Sequence, residues 1–174
     1  DVGIDGGGLD DLLGVAVVGR DRDTREWLTW THAWAHPSVL ERRKEVAPRL
    51  HDFARDGDLT LVQHIGEDVA DVASICALIE ARGLLDKIGC DPAGLGGIVD
   101  ALAEAGIPEE KLIGVSQGWK LTGAIKTAER KLAEGVLVHG GQPLMAWCVG
   151  NAKVEPRGNA VIITKQAAGN AKID

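Results

Sequence analysis

The chain has 174 residues, of which 45% are hydrophobic and 3% aromatic, and a formal net charge of −7. That length and apolar content suit one domain with a real core, and the acidity argues against a protein that coats nucleic acid over its whole surface. No apolar run reaches the ~20 residues of a membrane span, and the opening residues lack the pattern of a signal peptide.

Ile4-Asp5 ends a short apolar segment and meets Gly6-Gly7-Gly8. Leu13 to Val18 is rich in β-branched residues and bounded by Gly19 and charges, so both segments read as strands. Across 26–35, Leu28, Trp30, His32 and Trp34 alternate onto one face of a third strand. Short polar turns between the three predict an antiparallel meander.

Pro37 opens a helical stretch to about Arg55, and Pro48 inside it predicts a kink or a restart. Leu59 to Val62 reads as a short strand. Val69, Val72, Cys76 and Ile79 make one stripe of a helix over 67–82, with Gly83 as its stop. Leu85 to Cys90 is a strand that delivers Asp91 at its end. A helix with Leu95, Ile98, Val99 and Leu102 on one face follows, then a strand over 111–115. The pattern over 119–134 predicts a helix with Leu121, Ile125, Ala128 and Leu132 inward. Pro143 to Val149 reads as a short helix and Val161 to Ile163 as a short strand. An antiparallel start followed by alternating helices and strands implies an α/β fold: a mixed, five-stranded sheet flanked by helices, with the remaining elements peripheral.

Charge is uneven. Residues 1–110 carry a balance of −12 and residues 111–174 a balance of +5, which permits local phosphate contact in the final third. Cys76, Cys90 and Cys148 are too widely spaced for a metal-binding CxxC pair and read as buried reduced thiols. There is no GxxxxGK[ST] loop, no HExxH and no GxSxG elbow.

Asp5 and Asp91 each end an apolar strand and precede a glycine-containing turn. Two carboxylates meeting on neighbouring strands repel unless a cation lies between them. Mg²⁺ and Mn²⁺ prefer such oxygen ligands, and two ions ~3.5–4 Å apart can activate water and stabilise the leaving oxygen of a phosphodiester. Alternatively, both are unrelated strand-end residues capping turns. Gly3-Ile4-Asp5-Gly6-Gly7-Gly8 also resembles the first phosphate loop of the sugar-kinase, heat-shock chaperone and actin group of ATPases, although the Ser or Thr usual after it is replaced by Leu9-Asp10-Asp11. A non-catalytic interaction domain is the third class.

The final third bears on this choice. His139-Gly140-Gly141-Gln142-Pro143, continuing through Trp147 to Asn151, resembles a run in the large terminase subunits of tailed phages, where a variable strand, a Lys and an Ile-Asp pair follow. Here Val161-Ile162-Ile163, Lys165 and Ile173-Asp174 occupy those places. Gly3-Ile4-Asp5 with Asp11, and Ile88 to Pro92, are similar to the family's two acidic strands.

The resemblance implies a ribonuclease-H-like endonuclease domain spanning 1–174 that cuts concatemeric phage DNA during packaging. It implies a metal-binding triad of Asp5, Asp91 and Asp174 for Mg²⁺ or Mn²⁺, with two ions. Asp11, His139 and Asn151 become accessory positions. Lys120, Lys126, Arg130 and Lys153 are candidate DNA contacts. The implied partners are double-stranded DNA, a packaging ATPase domain of the same chain, the small terminase subunit and the portal, with no membrane, in the cytoplasm of the bacterial host. The chain then reads as a piece of a longer polypeptide, without that ATPase and without a final helix. Three glycines after Asp5, in place of the family's frequent polar residues, predict a loop mobile enough to gate the site.

Overall fold

The computed structural model describes residues 1–91 and 96–165, in two compact units. The first unit comprises residues 1–17 and 31–115. The second comprises 18–30 and the residues from Ser116 on.

The strands of the first unit are β1 (Val2–Gly6), β4 (Leu59–Leu61), β5 (Ile88–Cys90) and β6 (Leu112–Gly114), with the greater part of β2 (Leu13–Arg20) and the last residues of β3 (Trp27–Ala35). Their order is β4-β3-β2-β1-β5-β6. β1 runs antiparallel to β2 and parallel to β5, and β5 runs parallel to β6. The mixed sheet is therefore the expected one, with edge strands extending it beyond five.

Period-two alternation decides which face is which. Val2, Ile4, Leu13, Val15, Trp34, Ile88 and Cys90 form one continuous core with Val72, Ala73 and Cys76 of α3 (Glu67–Ala81) and with Ile98 and Leu102 of α4 (Gly96–Glu104). At the carboxyl end of β3, Trp34 fixes its rotamer by donating its indole N–H to Asp71 Oδ2 of α3 at 3.0 Å. Burying a ring of that size while satisfying its one donor anchors α3 to the sheet. The helix expected over 37–55 breaks into α1 (Pro37–Arg42) and α2 (Ala47–Arg55), with Pro48 in the first turn of α2. That turn is where a missing N–H costs nothing. Val39, Leu50 and Phe53 bury the apolar sides of these helices.

In the second unit, β7 (Leu137–His139) lies parallel to the opening residues of β3, which belong to that unit, with Leu137 opposite Trp27 and His139 opposite Thr29. A single-turn 3-10 helix, Gly118–Leu121, leads into α5 (Thr122–Ala133). α6 (Pro143–Asn151) carries buried Leu144 and Cys148. β8 (Ala152–Arg157) and β9 (Ala160–Lys165) form an antiparallel hairpin. One expectation fails here. Ala128 and Leu132 of α5 were assigned an inward face, yet both are exposed, and α5 buries no residue. The helical spacing is present, but among the described residues only its N-terminal part is covered, with Leu121 and Ile125 half-buried.

Candidate active site

The carboxyl ends of β1 and β5 are the place to look for chemistry. From β1 the chain builds outward through β2 and β3 to β4, then returns to add β5 and β6 on the other side of β1. A reversal of strand order opens a crevice at the carboxyl ends of the two strands flanking it, where ligands bind in open α/β sheets. Asp5 and Asp91 are the residues at those two ends.

Register brings them together. Val2, Gly3 and Ile4 face Ile88, Gly89 and Cys90 across the parallel ladder. Asp5 and Asp91 each follow by one residue the Ile4–Cys90 pair, on strands spaced ~4.8 Å apart. Ile4 and Cys90 are buried in the core, so alternation turns Asp5 and Asp91 to the opposite face of the sheet. Asp5 is exposed and Asp91 half-buried.

The floor around them is made of small residues. Gly3 and Gly89 lie two positions back on the same face, and across β2 the residues opposite Asp5 and Gly3 are Gly14 and Ala16. A Cβ added at Gly3 would meet nothing nearer than the Ala16 carbonyl oxygen at 3.9 Å, whereas one at Gly89 would come within 2.9 Å of Val115 Cγ2. Beside Asp5 the sheet is therefore open at Gly3, while the Val115 and Ile113 side chains stand over Gly89.

Backbone bonds on both sides of β5 hold it in place. Val2 N–H donates to Lys87 C=O at 2.9 Å, and Val115 N–H donates to Cys90 C=O at 2.7 Å, extending the β5–β6 ladder to the residue before Asp91. On the buried side, Cys76 and Cys90 are free thiols. Burial, with a smaller contribution from Cys90, pushes the Cys76 thiol up to about 11, and burial raises Cys90 as well. Both are packing groups rather than nucleophiles.

The glycine loop after Asp5 is fastened rather than loose. Gly6 (φ +83°) stays in the ladder opposite Leu13, and Gly7 N–H donates to Leu12 C=O at 3.0 Å. Asp11 N–H donates to Gly8 C=O at 3.2 Å, and Asp11 Oδ1 accepts from Leu12 N–H at 3.0 Å. Asp11 thus acts as a turn residue closing its own loop. Two outside groups hold the loop: the Ser38 hydroxyl donates to Leu9 C=O, and Arg43 Nε donates to Asp10 C=O at 2.8 Å. His36 Nδ1 lies 2.9 Å from Ser38 Oγ and orients it. The sequence does not reveal this role of Ser38 and Arg43, because nothing there shows which carbonyls α1 and its C-cap will meet.

The remaining candidates fall elsewhere. Asp174 lies outside the described residues. His139 and Asn151 belong to the second unit. His139 is exposed, and its Nδ1 accepts from Gly141 N–H at 3.1 Å, a local turn contact. Lys120 and Lys126 are exposed. Arg130 Nε pairs with Glu134 at 2.7 Å, and Lys153 Nζ pairs with Glu155 at 3.2 Å. Among the described residues, no group of three or more His, Cys, Asp and Glu side chains is arranged to hold a metal ion.

Comparison with known proteins decides the family. The family described as the terminase large subunit, endonuclease domain, matches residues 1–174, the whole chain. The chain belongs to that family. As a terminase nuclease domain it is similar to the large terminase subunit of Enterobacteria phage HK97, at 26% identity over 184 residues covering 99% of this chain. The chain spans about a third of that relative, 32% of its length. The crystal structure of the HK97 large terminase superposes on 98% of the chain and 36% of its own, with a TM-score of 0.75 at 23% identity. That likeness supports the ribonuclease-H-like fold. The ATPase-lobe alternative is not favoured: the family match is to a nuclease domain, and in the glycine loop the Gly7 N–H is given to Leu12 while Gly6 stays in the strand ladder. No described helix is long and apolar enough to cross a membrane.

Proposed function

We propose that this terminase nuclease domain cuts double-stranded DNA by divalent-metal-dependent hydrolysis of the phosphodiester, and that Asp5 and Asp91 hold the metal. The supporting observation is the juxtaposition of two acids at the carboxyl ends of adjacent parallel strands, over a floor of Gly3, Gly14 and Gly89.

The donor set fits a hard cation. Mg²⁺ is commonly bound through one or two carboxylates with water completing its shell, and two neighbouring carboxylates gain from a shared positive charge. When bound, Mg²⁺ or Mn²⁺ would supply polarisation of a phosphate oxygen and a water acidified towards neutral pH. Asp5, on the central strand, and Asp91, beside it, orient the charge. The open space over Gly3 lets a DNA backbone approach from the Asp5 side. Asp11 shapes the loop that carries the chain away from Asp5. A second ion would require a third acid, the role we assign to Asp174.

In this reading the chain is the nuclease part of a phage terminase large subunit acting in the cytoplasm of the bacterial host. It cuts concatemeric DNA as packaging starts and ends. Its partners are the packaging ATPase domain of the same polypeptide, the small terminase subunit and the portal.

Supercoiled plasmid tests the proposal. With Mn²⁺ the chain should convert it to nicked and linear forms, and EDTA should stop the reaction. Asp5→Ala and Asp91→Ala should each lower the rate at least about a hundredfold, as loss of an electrostatic catalytic element does. Cleavage that persists in EDTA, or in both variants, refutes it.

A further inference from the structure

The acidic crevice leaves one feature of the second unit without a role. Trp119, in the turn before α5, is 65% exposed. With Lys120 it forms one wall of an open groove, and Arg157, Asn159 and Ile162 of the β8–β9 hairpin line the other.

The groove is built, not incidental. The Thr122 hydroxyl accepts from Val161 N–H at 3.1 Å, and it stands 3.0 Å from Val161 C=O and 2.6 Å from Trp119 C=O. One side chain therefore fastens β9 to the turn that presents the indole. At the hairpin tip, Gly158 (φ +60°) and Asn159 make a tight two-residue turn between Arg157 and Ala160. That turn sets Arg157 on the rim.

Charge narrows the choice of occupant. The lining holds two cations, Lys120 and Arg157, and no carboxylate, in a chain whose net charge is −7; the nearby Glu155 carboxylate lies 3.6 Å from Arg157 Nη2 in a surface pair that a phosphate can replace. An exposed aromatic face between cations matches a nucleic-acid strand, whose bases stack and whose phosphates need positive charge. In a duplex the base faces are already covered by their neighbours, so an indole can stack only on an unpaired base. We propose that this groove binds a DNA strand with unpaired bases, at a nick, a frayed end or a locally opened duplex. Trp119 stacks on one base, and Lys120 and Arg157 hold the flanking phosphates. The proposal rests on the reading of the chain as a DNA nuclease and adds the form of DNA that it grips.

Fluorescence anisotropy in EDTA measures binding without cleavage. Its probes are a labelled oligo-dT of roughly 12 nucleotides, within the range of single-strand site sizes, and a blunt duplex of equal length. The wild-type chain should prefer the single strand. Trp119→Ala should weaken that binding about tenfold and leave duplex binding nearly unchanged, while Trp119→Phe retains most of the affinity. Removing Lys120 and Arg157 together should flatten the salt dependence by roughly one contact each. Circular dichroism should not change, because the indole is a surface group.

Equal binding by wild type and Trp119→Ala, a preference for the duplex, or no binding to either probe overturns the proposal. Plasmid cleavage is scored separately with Asp91→Ala. A chain that fails to cut but grips oligo-dT through Trp119 loses the nuclease reading and keeps the groove, and the reverse result does the opposite.

Discussion

Ile4 and Cys90 face one another in the parallel ladder, and each is followed by an aspartate. A one-residue slip of β5 against β1 would move Asp91 to the other face and bury it among the core residues of α3 and α4. The apolar residues that fill the core therefore also keep the two acids on the open side.

The glycines of this region should not be interchangeable. Gly6→Ala forces a side chain at φ +83° with its Cβ 2.0 Å from the Leu12 carbonyl oxygen, so backbone must move. We expect a loss of at least about 2 kcal/mol in urea unfolding. Gly89→Ala meets a methyl group of Val115 at 2.9 Å and should cost about 1 kcal/mol or somewhat more. Gly3→Ala has room and should lie within ~0.5 kcal/mol of wild type. A series ranked otherwise would contradict the packing described for this face.

The loop clamp should matter for order and for rate. Ser38→Ala and Arg43→Ala each remove one bond to the Leu9–Asp10 carbonyls and should each cost ~0.5–1.5 kcal/mol. The double variant should speed amide exchange across residues 7–12 and slow plasmid cleavage several-fold. Unchanged exchange in the double variant would show that the clamp does not order the loop.

Stability should fall on acidification through His32. Its ring is half-buried, with Nε2 2.8 Å from Thr60 Oγ1 and an edge-on contact to Trp34. Burial holds its pKa below the ordinary 6.5, against the opposing pull of Asp58 and Asp71. The unfolded chain takes up that proton near pH 6.5 and the folded chain only at lower pH. The stabilisation is therefore fully present above 6.5 and is lost as pH falls through the folded value. Urea unfolding between pH 7.5 and 5, roughly the window in which a histidine titrates, should weaken more for wild type than for His32→Gln. Equal slopes would show that His32 is not the group responsible.

Much of this was legible in the sequence, for a physical reason. β1 and the end of β5 are apolar runs that stop on an acid, and Pro48 restarts a helix because its ring cannot sit mid-helix. Three-residue strands such as β7 are too short to show a period, so His139 read as part of a motif rather than as a strand end. β8, Ala152 to Arg157, contains Pro156 and alternating charges, and only its pairing with β9 makes it a strand. The inward face expected of α5 holds only at Leu121 and Ile125, because periodicity reveals that a stripe exists and not how much of it is covered. The clamp on the glycine loop uses backbone carbonyls, which no residue name discloses.

The most direct measurement is a crystal structure of the chain soaked in Mn²⁺, with anomalous scattering used to locate the ion. A peak within coordination distance of carboxylate oxygens of both Asp5 and Asp91 is the predicted result. A well-ordered crystal with no ion between them, or with Mn²⁺ bound only elsewhere, would contradict the account.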